Sequence, residues 1–181
     1  MSIIGDILRI FFLRSIEKKR QDILTKEDWE KLLSEDDIIV ADKRKYRIET
    51  NEEHYLHAHP REQFDAAKEV IRTKYPDYMK GWDIMMNRTW AHMFNMFVMK
   101  KKYYDEFCEW WFDVMAEVEK KVDLSKWPKP KQRWFIDELL LDVWLETKGY
   151  SYKEVNVDYF EKQNWPKKID AFLKRKVSGV N

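Results

Sequence analysis

The chain has 181 residues, 44% of them hydrophobic and 15% aromatic, which is enough apolar surface for one domain with a packed core and excludes a disordered tail. Lysine and arginine together number 34 against 33 aspartates and glutamates, so no overall field draws the protein to nucleic acid or acidic lipid, and any charge-based partner must be met locally. The single cysteine, Cys108, excludes an intramolecular disulfide and a four-thiolate zinc site and fits a reducing, cytoplasmic setting; its neighbours Glu106 and Glu109 point to a quiet thiol rather than a nucleophile.

The first apolar stretch, Ile3 to Leu13, is broken by Asp6 and Arg9 and falls short of the roughly 18 residues that cross a bilayer. It also lacks the basic start and small-residue cleavage site of a secretory signal. Ile3, Ile4, Ile7, Leu8, Phe11 and Phe12 recur at helical spacing ahead of Arg14, Lys18, Lys19 and Arg20, so residues 1–24 are predicted to form a basic amphipathic helix. Two destinations stay open for it: the protein's own core or a partner protein, and a membrane surface as a peripheral contact.

Residues 25–181 form the second unit. Thr25 with Asp28 imitates a capping box and opens a short helix that ends near Ser34. Asp37 to Val40 suits a short buried strand, Lys43 to Lys45 a charged turn, and Tyr46 to Glu49 an extended segment. From Glu62, the spacing of Ala66, Val70, Ile71 and Tyr75 predicts a helix stopped by Pro76, and a second helix covers Tyr78 to Met86. Phe94 to Met99 is apolar apart from Asn95, which suggests a strand covered on both faces.

Lys102 to Lys121 is the clearest helix, with Tyr104, Phe107, Trp111, Val114, Met115 and Val118 as one apolar stripe. Past the proline-broken loop 126–131, a broadly apolar helix covers Arg133 to Thr147 and ends at Gly149. Lys153 to Val157 alternates like a half-buried strand, and the tail Trp165 to Lys176 is basic. Strands alternate with helices, so the fold class is α/β, rich in helix and with few strands for its length.

Four scattered glycines leave no phosphate loop, and neither a nucleophile motif nor an Asp-x-Asp metal-diphosphate pair occurs. The densest polar cluster is His54-Tyr-Leu-His-Ala-His59, with His54, His57 and His59. It matches no recognised zinc spacing, so no metal ligand is assigned. Imidazoles hydrogen-bonding a diphosphate or sugar hydroxyl are one reading, and histidines solvated on a surface loop the other.

Asp137 and Glu138 open the long apolar helix. A dry pocket there would raise a carboxyl towards the range of a general base, whereas acids at a helix start also serve simply to balance its dipole. Asn95 and His92 form a third polar group. Trp110, Trp111 and Trp134 offer sugar-stacking faces, although aromatics at helical spacing are more often core.

In order along the chain, the string Tyr46-Arg-Ile-Glu-Thr50, the His54 to His59 cluster with Asp65, Lys74-Tyr-Pro-Asp-Tyr78, Asn95-Met-Phe-Val-Met-Lys100 leading into Phe107-Cys-Glu-Trp110, Glu138-Leu-Leu-Leu-Asp-Val-Trp-Leu145 and Glu161-Lys-Gln-Asn-Trp165 form a set of landmarks. Together they resemble the C-terminal part of an uncharacterised-domain family of capsular polysaccharide and exopolysaccharide biosynthesis, whose members are regarded as glycosyltransferases. The likeness implies a partial, GT-A-like glycosyltransferase fold with a small sheet, binding a nucleotide-sugar and a glycan acceptor in the cytoplasm.

Carried onto this sequence, the resemblance implies Glu138 as catalytic base beside Asp137. It implies Asn95 on a central strand at the donor or acceptor, His54, His57 and His59 lining the cleft, and His92 as a further substrate contact. Cofactor use is left unassigned, with a divalent cation such as Mn²⁺ an open option. The family's Gly-Leu-x-His-Tyr-Arg-Arg-Tyr-like segment has no counterpart beyond Arg9 to Arg14, which implies a shortened enzyme or a binding module whose missing half a partner protein supplies.

Overall fold

The computed structural model describes residues 23–126 and 136–158, together with Asp170. The amphipathic segment of residues 1–24 falls outside the described residues except at its end, as do Trp134 and the basic tail Trp165 to Lys176 apart from Asp170.

Helix α1, Lys26–Glu35, starts where Thr25 and Asp28 satisfy each other's backbone N–H groups, at 2.8 and 3.3 Å. Strand β1, Ile38–Ala41, is buried along its whole length because it is the middle strand of a three-stranded sheet. On one side it pairs antiparallel with β4, Phe97–Met99, and on the other parallel with β5, Lys153–Val155. A separate two-stranded ladder joins β2, Arg44–Lys45, to β3, Trp90–Ala91.

Helices supply the rest: α2 at Asn51–Ala58, α3 at Arg61–Lys74, α4 at Met79–Asn87, α5 at Lys101–Lys121 and α6 at Asp137–Lys148. Helix α6 lies at the centre, and every residue from Leu139 to Leu145 is buried. It packs closely on α4 because Gly81 has no side chain: a Cβ there would stand 2.2 Å from Thr147 Oγ1 and 2.9 Å from the Val143 carbonyl oxygen. Gly149 closes α6 at φ 65°. Trp82, Phe107 and Trp144 fill the core around this crossing.

The helix-rich α/β expectation with a small sheet holds, and several local readings are revised. The strand near residue 97 is shorter than its apolar sequence suggests and lies at a sheet edge; Asn95 precedes it in a left-handed turn, so it is not on a central strand. The histidine string is helix α2, not a loop, because Thr50 and Glu53 form a second reciprocal cap. On α5, Trp110 turns inward with Phe107, Val114 and Val118, whereas Tyr104, placed on the apolar stripe by its spacing, is 49% exposed. The charged turn at Lys43 to Lys45 contains the β2 strand, and the extended segment expected at Tyr46 to Glu49 forms no ladder. No helix among the described residues is long and apolar enough to cross a membrane.

Candidate functional site

Successive side chains on a strand face opposite ways, and around β2 this separates two polar networks. Arg44 lies over the Tyr46 ring, 5.3 Å from its centroid, while Lys43 reaches Glu154 Oε1 at 2.6 Å.

The Arg44 side holds most of the residues singled out from the sequence. Glu49 is buried, and its two oxygens accept from two imidazoles of α2: His54 Nδ1 at 3.1 Å and His57 Nδ1 at 2.9 Å. The two histidines share a helix face because they are three residues apart. Since a carboxylate only accepts, Nδ1 is the donor in both rings, and the Nε2 of His57 is left for other partners. Burial alone would raise the Glu49 carboxyl, but the hydrogen bonds from His54 and His57 outweigh it and hold the group below its ordinary range. The Tyr46 ring stacks on His54 at 4.0 Å. His59 ends α2 with its ring 4.9 Å from that of Tyr55.

Tyr46 also faces the acids of α6. Its hydroxyl is pushed up by burial and feels the charges of Arg44, Glu138 and Glu49. Asp137 is pushed up to about 6, first by burial and then by the neighbouring Glu138 charge. Burial likewise raises Glu138, opposed by a hydrogen bond from the Phe94 backbone and by the Arg44 charge. Above the pair, Phe94 and Asn95 take left-handed backbone angles, φ 76° and 48°, which are costly for residues other than glycine. That turn aims Asn95 Nδ2 at Asp137 Oδ2, 3.2 Å away. Three buried polar atoms here have no hydrogen-bond partner among the described residues: Tyr46 Oη, Asn95 Oδ1 and Asp137 Oδ1. These three can exchange hydrogen bonds with a polar ligand, and six further buried side-chain atoms elsewhere among the described residues likewise have no hydrogen-bond partner.

The other network contains His92. Asp142, buried on α6, accepts from the His92 backbone N–H at 2.7 Å and from His92 Nδ1 at 2.7 Å, and Arg88 Nη2 lies 2.6 Å away. His92 Nε2 faces Glu154 at 3.3 Å. Both ring nitrogens are thus engaged in a ring 1% exposed, which leaves no edge open to a ligand in this conformation. Trp110 is buried against Tyr78, and Trp111 stacks on Phe107 at 5.7 Å, so neither indole presents a free platform.

The structure therefore brings together Asn95, Asp137 and Glu138, and links them through Tyr46 to His54 and His57, while His92 belongs elsewhere. Arg44, Tyr46 and Glu49 were not singled out as site residues from the sequence. For Glu49 a signal existed: an acid just before a helix cap, followed by two histidines on one helical face. No group of three or more His, Cys, Asp or Glu side chains among the described residues is arranged to hold a metal ion.

A small sheet packed against many helices, with a carboxylate pair at the start of the central helix, makes this a helix-rich α/β domain. The solved apo structure of the bifunctional glycosyltransferase WbbM superimposes with a TM-score of 0.65 at 20% identity, over 72% of this chain and 25% of that one. At that identity the likeness establishes the fold, and the chain spans about a quarter of WbbM's length. No curated protein matches. A family model described as a domain of unknown function, DUF4422, matches residues 7–149, and the chain belongs to that family.

Proposed function

We propose that this chain is a glycosyltransferase domain of capsule or exopolysaccharide assembly that moves a sugar from a nucleotide-sugar donor to a glycan acceptor. The observation that carries the proposal is the meeting of two raised carboxyls, an asparagine amide and unpartnered polar atoms with Arg44 and two carboxylate-oriented histidines. The likeness of fold to WbbM and the family landmarks support the reaction class, and the pathway rests on the landmarks.

In this reading Glu138 accepts the proton of an acceptor hydroxyl as that oxygen attacks the anomeric carbon. The bond from that carbon to the diphosphate oxygen breaks, and the nucleoside diphosphate departs with the electron pair. Arg44 meets its negative charge, joined by the Nε2 of His57 in the protonated ring, where both nitrogens donate, while Asp137 and Asn95 hold sugar hydroxyls. The exposed Phe94 and Met96, two residues apart, favour a second reading, a non-catalytic module that docks through exposed apolar side chains.

Titration calorimetry with UDP- and GDP-sugars, with and without Mn²⁺, separates the two readings. Saturable donor binding weakened about tenfold by His57→Ala, the loss of roughly one charge-assisted hydrogen bond, supports the transferase. Absence of binding to every donor leaves the docking module.

A further inference from the structure

Beyond the reacting groups, we propose that His92 and Asp142 are positioning residues that latch the Phe94–Asn95 turn onto α6 and so set Asn95 and the Phe94 amide against Asp137 and Glu138. The inference rests on the reading of that acidic pair as the chemical centre.

The chain segment from residue 92 to 95 is attached to α6 twice. At one end Asp142 takes two hydrogen bonds from His92, one from the backbone and one from the ring, both 2.7 Å long. At the other end Asn95 Nδ2 donates to Asp137, 3.2 Å away, and the Phe94 backbone hydrogen-bonds Glu138. Asp142 follows Glu138 by four residues and Asp137 by five, so the two attachment points on the helix are separated by roughly 6–7.5 Å. Three residues of extended chain reach only about 10 Å, so the segment has little slack and a shift at one end moves the other.

The turn between the attachments does not hold itself. A phenylalanine and an asparagine in succession at positive φ cost on the order of 1–3 kcal/mol each, and such conformations persist where the surroundings impose them. Asp142 is itself fixed by Arg88, whose guanidinium packs 3.5 Å over the Trp90 ring and donates from Nε to the Trp90 carbonyl at 3.0 Å. The β3 end that leads into His92 is therefore clamped from both sides. A buried ionic cluster is a poor device for stability alone, since apolar residues of equal volume often serve as well. Fixing the register of a strained turn over a reacting pair gives it a use.

The test uses the full chain with two substitutions of similar size. An asparagine at 92 places its amide where His Nδ1 stands and can still donate to Asp142, whereas a glutamine reaches towards the Nε2 position and Glu154. The readout is the titration midpoint of the Asp137 carboxyl, followed by NMR with ¹³C-labelled aspartate, alongside thermal unfolding; neither needs a donor or an acceptor, so the outcome is independent of whether transfer occurs.

The latch predicts that His92→Asn keeps the midpoint near 6, whereas His92→Gln, left with the backbone bond alone, loosens the turn, admits water and lowers it by about one unit, because burial is the main cause of its elevation. Asp142→Glu, which keeps the charge but moves it by one methylene, is expected to lower the midpoint likewise and serves if His92→Gln does not fold. Unchanged midpoints in His92→Gln and Asp142→Glu, with only stability lost, would overturn the proposal. So would equal shifts in His92→Asn and His92→Gln.

Discussion

His57 and His92 are held alike by a carboxylate at Nδ1, at 2.9 and 2.7 Å, yet they do different work. The His57 side chain is 47% exposed and its second nitrogen is free to meet a ligand, while the His92 side chain is 1% exposed and its second nitrogen faces Glu154. The carboxylates differ in step. Glu49 sits before a two-turn helix near the surface, whereas Asp142 is in the middle of the most buried helix and holds an arginine as well. One motif is thus half-open to solvent in one place and sealed in the core in the other, and what surrounds the pair decides which.

The contrast is broken most sharply by removing Asp142. Asp142→Ala leaves the buried His92 without the acceptor of two of its N–H groups and Arg88 without its buried ion-pair partner, and is expected to cost about 3–5 kcal/mol in denaturant unfolding. A loss under 1 kcal/mol would mean that the cluster does not hold the core together. Gly81→Ala tests the same core through packing: its Cβ meets the Val143 carbonyl and Thr147, for an expected loss of about 1–3 kcal/mol.

On the half-open side the effects are smaller than at Asp142 and depend on pH. Glu49→Gln should cost about 1.5–3 kcal/mol at neutral pH, the range for charge-assisted hydrogen bonds. The Glu49 carboxyl lies below its unfolded value of 4.5, so its contribution is present above that pH and is lost as pH falls through the lower folded value. The difference between wild type and variant should therefore shrink in acid. Asp137 has the opposite sign: its folded midpoint, about 6, exceeds the unfolded 3.8, so its ionisation works against folding as pH rises through that window. Asp137→Asn should stabilise the protein by up to about 1 kcal/mol above pH 6 once solvent screening of this half-buried group is allowed for. A destabilisation there would contradict the strained-site reading. His57→Ala takes one of two donors from the buried Glu49 and should cost about 1 kcal/mol in stability while weakening donor binding.

Elements set by local rules were legible in the sequence. Thr25 with Asp28, Pro76 after α3 and Gly149 after α6 act over a few residues, and these elements start or stop within two residues of where those signals lie. Helix α2 carried the same kind of signal in Thr50 and Glu53, but its histidines and weak apolar pattern masked it. The end of the apolar run at residues 94–99 could not be read, because left-handed phenylalanine and asparagine are imposed by contacts with α6 and not by their own preferences. Two-residue strands such as β2 and β3 likewise exist only through tertiary pairing.

At the site, the acids and histidines stood out by residue type. Arg44, Tyr46 and Glu49 did not, since only the folded chain brings Glu49 between His54 and His57 and Tyr46 near Glu138. His92 could be separated from the other histidines only by its burial.

The central claim is that ligands meet the half-open side and not the sealed one, and NMR shift mapping during titration with UDP- and GDP-sugars tests it directly. The account predicts the largest changes at Arg44, Tyr46, His57, Asn95 and Glu138. Changes centred instead on the cleft of about 220 Å³ lined by Arg88, Glu146, Tyr150 and Tyr152 would contradict it.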